Sequence, residues 1–175
     1  MNLKGKNVLM VIAADNFRDE EYAEPRKVLE AAGVRVTVAC STLDVAKGKL
    51  GLQVKPDVLL NNVKEEDFDG IVFVGGGGSK EYFDNPVAHK LAQSFCSNDK
   101  LTSAICIAPA ILANAGLLKE KKATSFPSSK ETLQAKGAAF TGSGVERDGM
   151  LVTGSGPEAA TQFGEKLVEV LGEKQ

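Results

Sequence analysis

The fold is decided by residues 101–116, Leu101-Thr-Ser-Ala-Ile-Cys106-Ile-Ala-Pro109-Ala-Ile-Leu-Ala-Asn-Ala-Gly116. An apolar run ends abruptly in a cysteine, and helix-forming residues follow at once. Pro109 suits the first turn of a helix, where its missing N–H has no partner to lose. Gly116 suits the position just past a helix end, where a left-handed residue closes the last turn. The stretch therefore predicts strand, tight turn, helix, with Cys106 at the turn. Free N–H groups and the dipole at a helix start favour an anion, so a thiol placed there tends toward the reactive thiolate. A buried apolar cysteine ending a core strand carries the same local pattern. Neighbouring segments have to separate the two readings.

Upstream, Gly70-Ile-Val-Phe-Val74 is a continuous apolar run that ends in Gly75-Gly76-Gly77-Gly78-Ser79. Asn7-Val-Leu-Met-Val-Ile-Ala-Ala14 has the same look, that of a strand buried on both faces of a parallel sheet. Val34 to Cys40 is alternating and β-branched, a further strand. Between these two strands lies the acidic stretch from Asp15 to Pro25, and then a helix predicted over 26–32 and stopped by Gly33. Pro25 is expected near a helix start or kink. Weaker strand signals at 50–56 and 57–60 suggest an edge ribbon, and 65–69 a short acidic helical turn. A helix is predicted over 86–95.

Downstream, a short strand is predicted at 123–126. A helix follows from Ser128 to Lys136, capped by Ser128 or Ser129. Asp148-Gly149 between β-formers signals a hairpin. Gly154-Ser155-Gly156-Pro157 opens a last helix over 158–171, whose Ala159, Phe163, Leu167, Val168 and Leu171 share one face. Alternating strands and helices make this a single α/β domain, residues 1–175, with a mostly parallel sheet.

The 43% hydrophobic and 25% charged residues are those of an ordinary globular chain. Its 21 basic and 23 acidic residues give a net charge of −2 with no basic block, which argues against nucleic acid or anionic membrane partners. No apolar run approaches the ~20 residues of a membrane span. The N-terminus lacks the pattern of a signal peptide. Cys40, Cys96 and Cys106 are an odd number without metal-ligand spacing, so free thiols in a reducing cytoplasm are expected. The single histidine, His89, makes a multi-histidine metal site impossible, and no metal or cofactor is expected.

In an open α/β sheet, ligands bind beyond the carboxyl ends of the strands. The acidic loop with Glu21, the glycines at 75–78 and Cys106 all arrive there. A carboxyl group, backbone N–H donors and a thiol could together poise an anionic sulfur. The glycine run lacks the lysine and Ser/Thr of a phosphate-binding P-loop and the spacing of a dinucleotide fingerprint.

These residues, in this order, resemble the ThiJ/PfpI family of the class I glutamine amidotransferase-like superfamily. The likeness rests on Glu21 four positions before Pro25, the strand ending in Gly75-Gly76, and Ala104-Ile105-Cys106 with Pro109 three positions on. It extends to Lys122-Ala-Thr-Ser-Phe-Pro127, the Asp148-Gly149 hairpin, Thr153 and Gly156-Pro157. The resemblance implies a flavodoxin-like three-layer sandwich with Cys106 at a strained nucleophile elbow. Glu21 would hydrogen-bond the sulfur, Gly75, Gly76 and Ile107 would supply backbone donors for an oxyanion, and Arg18, Phe126 and Pro127 would line the pocket. PfpI-type members carry a histidine directly after the cysteine, where this chain has Ile107. The parkinsonism-associated branch carries one before the later proline, where this chain has Phe126. Arg18 stands at the family's second acid position. His89 is expected on the surface. The peptidase reading is weakened accordingly, since a Cys–His pair supplies the base for acyl transfer.

What survives is a Cys106–Glu21 pair. By resemblance it implies a cofactor-independent glyoxalase or deglycase acting on a small reactive carbonyl or a glycated protein. The alternative is a redox-responsive stress protein or chaperone in which Cys106 is reversibly oxidised. The resemblance also implies a homodimer.

Overall fold

The long apolar runs become the middle strands of one sheet. The computed structural model describes residues 2–174. Its first half comprises β1 (Asn7–Val11), β2 (Asp15–Phe17), α1 (Asp19–Ala31), β3 (Arg35–Cys40), β4 (Ala46–Gly48), β5 (Gln53–Val54) and β6 (Val58–Leu59). Next come β7 (Gly70–Phe73), α2 (Pro86–Ser97), β8 (Leu101–Ile105) and α3 (Pro109–Asn114). The chain closes with β9 (Lys122–Ala123), α4 (Lys130–Ala135), β10 (Ala139–Phe140), β11 (Val145–Asp148), β12 (Leu151–Gly154) and α5 (Ala160–Gly172).

Seven strands form the main sheet in the order β11-β12-β8-β7-β1-β3-β6. All neighbours are parallel except β11 and β12, the hairpin that Asp148-Gly149 announces. Gly149 takes φ +63° in its turn. In β1, alternate residues serve opposite faces. Val8 and Met10 pack with Leu29 of α1 and Phe163, Leu167 and Val170 of α5. Leu9 and Val11 pack with Ala88 and Leu91 of α2 and Ile111 and Leu112 of α3. Helices on both faces are why the strand has no polar alternation. The result is a three-layer α/β sandwich with a mostly parallel sheet.

Several boundaries differ from the sequence expectation. Helix α1 begins at Asp19 rather than Arg26, and Pro25 lies inside it. Asp19, Glu20 and Glu21 occupy its first turn, where carboxylates complement the helix dipole. Tyr22, Pro25 and Leu29 form its buried stripe, and Pro25 meets Gly164 of α5 closely: a Cβ on Gly164 would lie 2.9 Å from the Pro25 Cα. Packing across this contact keeps a helix that the missing Pro25 N–H alone would interrupt. The expected ribbon at 50–56 is instead the β4–β5 hairpin, joined to β2 in a separate three-stranded sheet, while β6 edges the main sheet. The strand at 123–126 shrinks to β9, paired with β10. Ser129 precedes α4 without capping it; its hydroxyl donates to the Ile107 carbonyl at 3.3 Å. The last helix starts two residues later than expected, after a 3₁₀ turn over Pro157–Ala159.

Candidate active site

The strand-to-helix turn after β8 is strained at one residue. Cys106 takes φ +66°, in the left-handed region that a side chain rarely enters. Two backbone hydrogen bonds hold it there: its N–H donates to the Gly154 carbonyl at 2.9 Å, and its carbonyl accepts from the Phe126 N–H at 2.8 Å. Pro109 begins α3, as its position predicts, and Gly116 takes φ +81° beyond the end. Cys106 is 8% exposed, enough to open onto a cavity of about 290 Å³. That volume suits a small ligand, at the low end of the ~300–1,000 Å³ of ligand pockets.

Glu21 reaches the sulfur from the first turn of α1. Its side chain is fully buried, and neither carboxyl oxygen has a hydrogen-bond partner of full geometry among the described residues. Gly75 makes this approach possible. A Cβ there would lie 2.4 Å from Glu21 Oε1, 2.6 Å from the Cys106 Cβ and 2.6 Å from the Ile105 carbonyl. Gly76 is equally constrained, with φ +97° and the Arg18 N at 2.4 Å from where a Cβ would stand. The glycine run therefore serves close approach, and what approaches is Glu21 and the segment before α1.

Burial pushes the Glu21 carboxyl up to about 7, against the pull of the Cys106 thiol, the Arg18 charge and the Gly75 N–H. Burial first, and then the Glu21 charge, push the Cys106 thiol up to about 12; the Gly76 and Ile107 N–H groups pull it down. The expectation of a thiolate made by a helix terminus is corrected here: α3 has six residues, and burial beside a carboxyl outweighs it. A thiolate forms at this site when Glu21 keeps the proton. The neutral acid can then donate to the sulfur, and two adjacent anions are avoided.

The expected donors divide between the two groups. Gly76 and Ile107 direct their N–H groups at the sulfur, whereas Gly75 serves Glu21. Arg18 and Phe126 line the cavity. Pro127 does not; it lies in an adjoining groove with Lys130 and Phe140, although Phe126 and Ser128 on either side of it line the cavity. Arg18 donates its backbone N–H to Gly75 at 3.0 Å and clasps Glu20 with two side-chain bonds of 3.0 Å. His89 lies on α2 with Nε2 2.7 Å from the Phe83 carbonyl, half-buried and outside the cavity lining. Five lining residues were not placed in the site by the sequence reading: Asn16, Lys49, Lys80, Ser128 and Pro157. Asn16 takes φ +60°, which asparagine tolerates better than most residues. Nothing local marks the two lysines, since they arrive from the β4–β5 hairpin and the 3₁₀ turn Gly77–Tyr82.

The DJ-1/PfpI family model matches residues 6–170. The chain belongs to the DJ-1/PfpI family. An uncharacterised protein of Methanocaldococcus jannaschii is 40% identical, over 97% of this chain and 84% of its own. A Pyrococcus abyssi family member named as a deglycase is 29% identical over 93% of this chain and 98% of its own. A Caenorhabditis elegans relative named as a glutathione-independent glyoxalase is 28% identical over 95% and 89%. Among solved structures, a ThiJ/PfpI domain protein from Brachyspira murdochii superposes with TM-score 0.94 at 34% identity, covering 97% of this chain and 98% of that one. Drosophila melanogaster DJ-1beta superposes with TM-score 0.87 at 32% identity, covering 98% and 91%. Within the DJ-1/PfpI family this chain stands with the DJ-1 branch.

Proposed function

We propose that this DJ-1/PfpI member is a cofactor-independent enzyme acting on small reactive carbonyls or their early protein adducts, with Cys106 as nucleophile and Glu21 as proton carrier. The observation that carries the reading is a fully buried carboxyl, raised to about 7, set against a strained cysteine on the floor of a small cavity. A general acid/base works best when its pKa lies near the working pH. Relatives named as a deglycase and a glyoxalase support the same class of chemistry.

On this reading the sulfur adds to the aldehyde carbon of an α-oxo aldehyde, and the Gly76 and Ile107 N–H groups receive the developing oxyanion. Glu21 gives its proton to that oxygen; as the carboxylate it then takes the hydrogen of that carbon as a proton and returns it to the neighbouring carbon, while the hydroxyl proton passes to the neighbouring oxygen. The first carbon is thereby oxidised and the second reduced, leaving a thioester on Cys106. Water cleaves the thioester and frees the 2-hydroxy acid and the thiol. Methylglyoxal plus water gives lactic acid, with no external redox partner.

Lactate release from methylglyoxal tests this. Cys106→Ala should abolish it, and Glu21→Gln should lower kcat/KM by roughly 10²–10⁴. Turnover no faster than that of Cys106→Ala would refute the reading. The same donors favour a second one, in which Cys106 is oxidised and its oxygen is held by Glu21 and the two N–H groups. Mild peroxide should then modify Cys106 selectively by mass spectrometry; equal modification of Cys40 and Cys96 would contradict it. A peptidase is the weakest reading, because no imidazole lines the cavity. We further propose a homodimer, in line with the family resemblance, and a cytoplasmic location, in line with the free cysteines; sedimentation should then give twice the 18.4 kDa of the chain.

A further inference from the structure

The chain carries a net charge of −2, yet the Cys106 cavity is lined by the cations Arg18, Lys49 and Lys80. Its one lining acid, Glu21, is fully buried at the floor. Arg18 is committed to Glu20 through two hydrogen bonds. Lys49 and Lys80 are exposed, and among the described residues neither ammonium takes part in an ion pair. Lys49 acts on Glu20 only as the weakest of the influences on that carboxylate.

Both lysines stand on clamped turns. The Lys49 N–H donates to the Phe17 carbonyl at 2.8 Å. The next turn is pinned by Asp19, whose two carboxylate oxygens accept from the Leu50 and Leu52 N–H groups, each at 2.9 Å. Lys80 follows Ser79, whose hydroxyl donates to the Gly76 carbonyl at 2.8 Å. It precedes Glu81, whose carboxylate accepts the Ala14 N–H at 2.9 Å. Two unpaired ammonium groups on fixed bases, at a cavity also bordered by the uncharged side chains of Asn16, Ile107, Phe126, Ser128 and Pro157, form a field that attracts an anion and steers it inward.

We propose that Lys49 and Lys80 select substrates carrying an anionic oxygen group, a carboxylate or a phosphate, a few bonds from the carbonyl that Cys106 attacks. A neutral substrate such as methylglyoxal leaves both ammonium groups unused. For turnover the inference rests on the reading of Cys106 as nucleophile; for binding it does not, and the two are tested apart.

Binding is read by alkylating Cys106 with iodoacetate or with neutral iodoacetamide and following the Cys106 peptide by mass spectrometry. The iodoacetate-to-iodoacetamide rate ratio should fall roughly tenfold in the double variant Lys49→Gln, Lys80→Gln, and recover in Lys49→Arg, Lys80→Arg. It should also fall as salt is raised. An equal ratio in the wild type and the glutamine variant overturns the proposal, whatever the turnover. At fixed ionic strength, slowing of the iodoacetate reaction by phosphate or by acetate identifies which anion the lysines hold; slowing by neither overturns the proposal.

Turnover is read with 4,5-dioxopentanoate against neutral 2-oxopentanal. The wild type should prefer the anion, and the glutamine variant should lose that preference through KM. A wild type that turns over neither compound defeats the proposed function, and the alkylation ratio still decides the role of the lysines.

Discussion

Glu21 and Cys106 concentrate the unusual chemistry of the chain in two side chains. A carboxyl at about 7 in the folded protein, against 4.5 as its ordinary value, keeps its proton where the unfolded chain has lost it. Between these two values the folded state binds more protons, so stability falls as pH rises. The loss amounts to about 3 kcal/mol over that window, complete once pH passes about 7. Urea unfolding at pH 5 and pH 7.5 should show this drop in the wild type and a nearly flat response in Glu21→Gln. Gly75 is the counterpart constraint on the backbone. Gly75→Ala drives a methyl group into the Glu21 carboxyl, the Cys106 Cβ and the Ile105 carbonyl. It should lower stability by about 1–3 kcal/mol or more, read as a fall in Tm.

Helix α1 connects the core to the site. Its buried stripe of Tyr22, Pro25 and Leu29 repeats at helical spacing through the proline, while Glu21 points from the same helix into the cavity floor. Asp19 at its start fixes the ribbon that carries Lys49, by accepting the Leu50 and Leu52 N–H groups. Asp19→Ala leaves two backbone donors without their acceptor and should cost about 1–3 kcal/mol. Amide hydrogen exchange at Leu50 and Leu52 should accelerate with little change in the strands of the main sheet, because the ribbon is a separate three-stranded unit.

The molecule as a whole is a sheet covered on both faces, and each face has its own apolar cluster. Phe163 of α5 is fully buried in the cluster shared with α1. Phe163→Ala should destabilise by about 3–5 kcal/mol in denaturant unfolding, the range for loss of a core aromatic.

The apolar runs at 7–14, 70–74 and 101–105 were legible as central strands because burial on both faces leaves no polar alternation, a property written locally in the chain. Pro109, Gly116 and Asp148-Gly149 were legible for the same reason: each acts through its own φ or its own missing N–H. With Cys106 at the end of one such strand and Glu21 and Gly75-Gly76 near the ends of others, the parallel topology sufficed to bring them to one edge of the sheet. The rest depended on contacts between distant segments. Pro25 lies inside α1 because Gly164 admits it, and Pro127 lies in an adjoining groove between two residues, Phe126 and Ser128, that line the cavity. Lys49 and Lys80 meet at one cavity only once the ribbon and the 3₁₀ turn have packed. The proton affinity of the Cys106 sulfur belongs with these, since desolvation and the Glu21 carboxyl act on it only after residues far apart along the chain have been buried together.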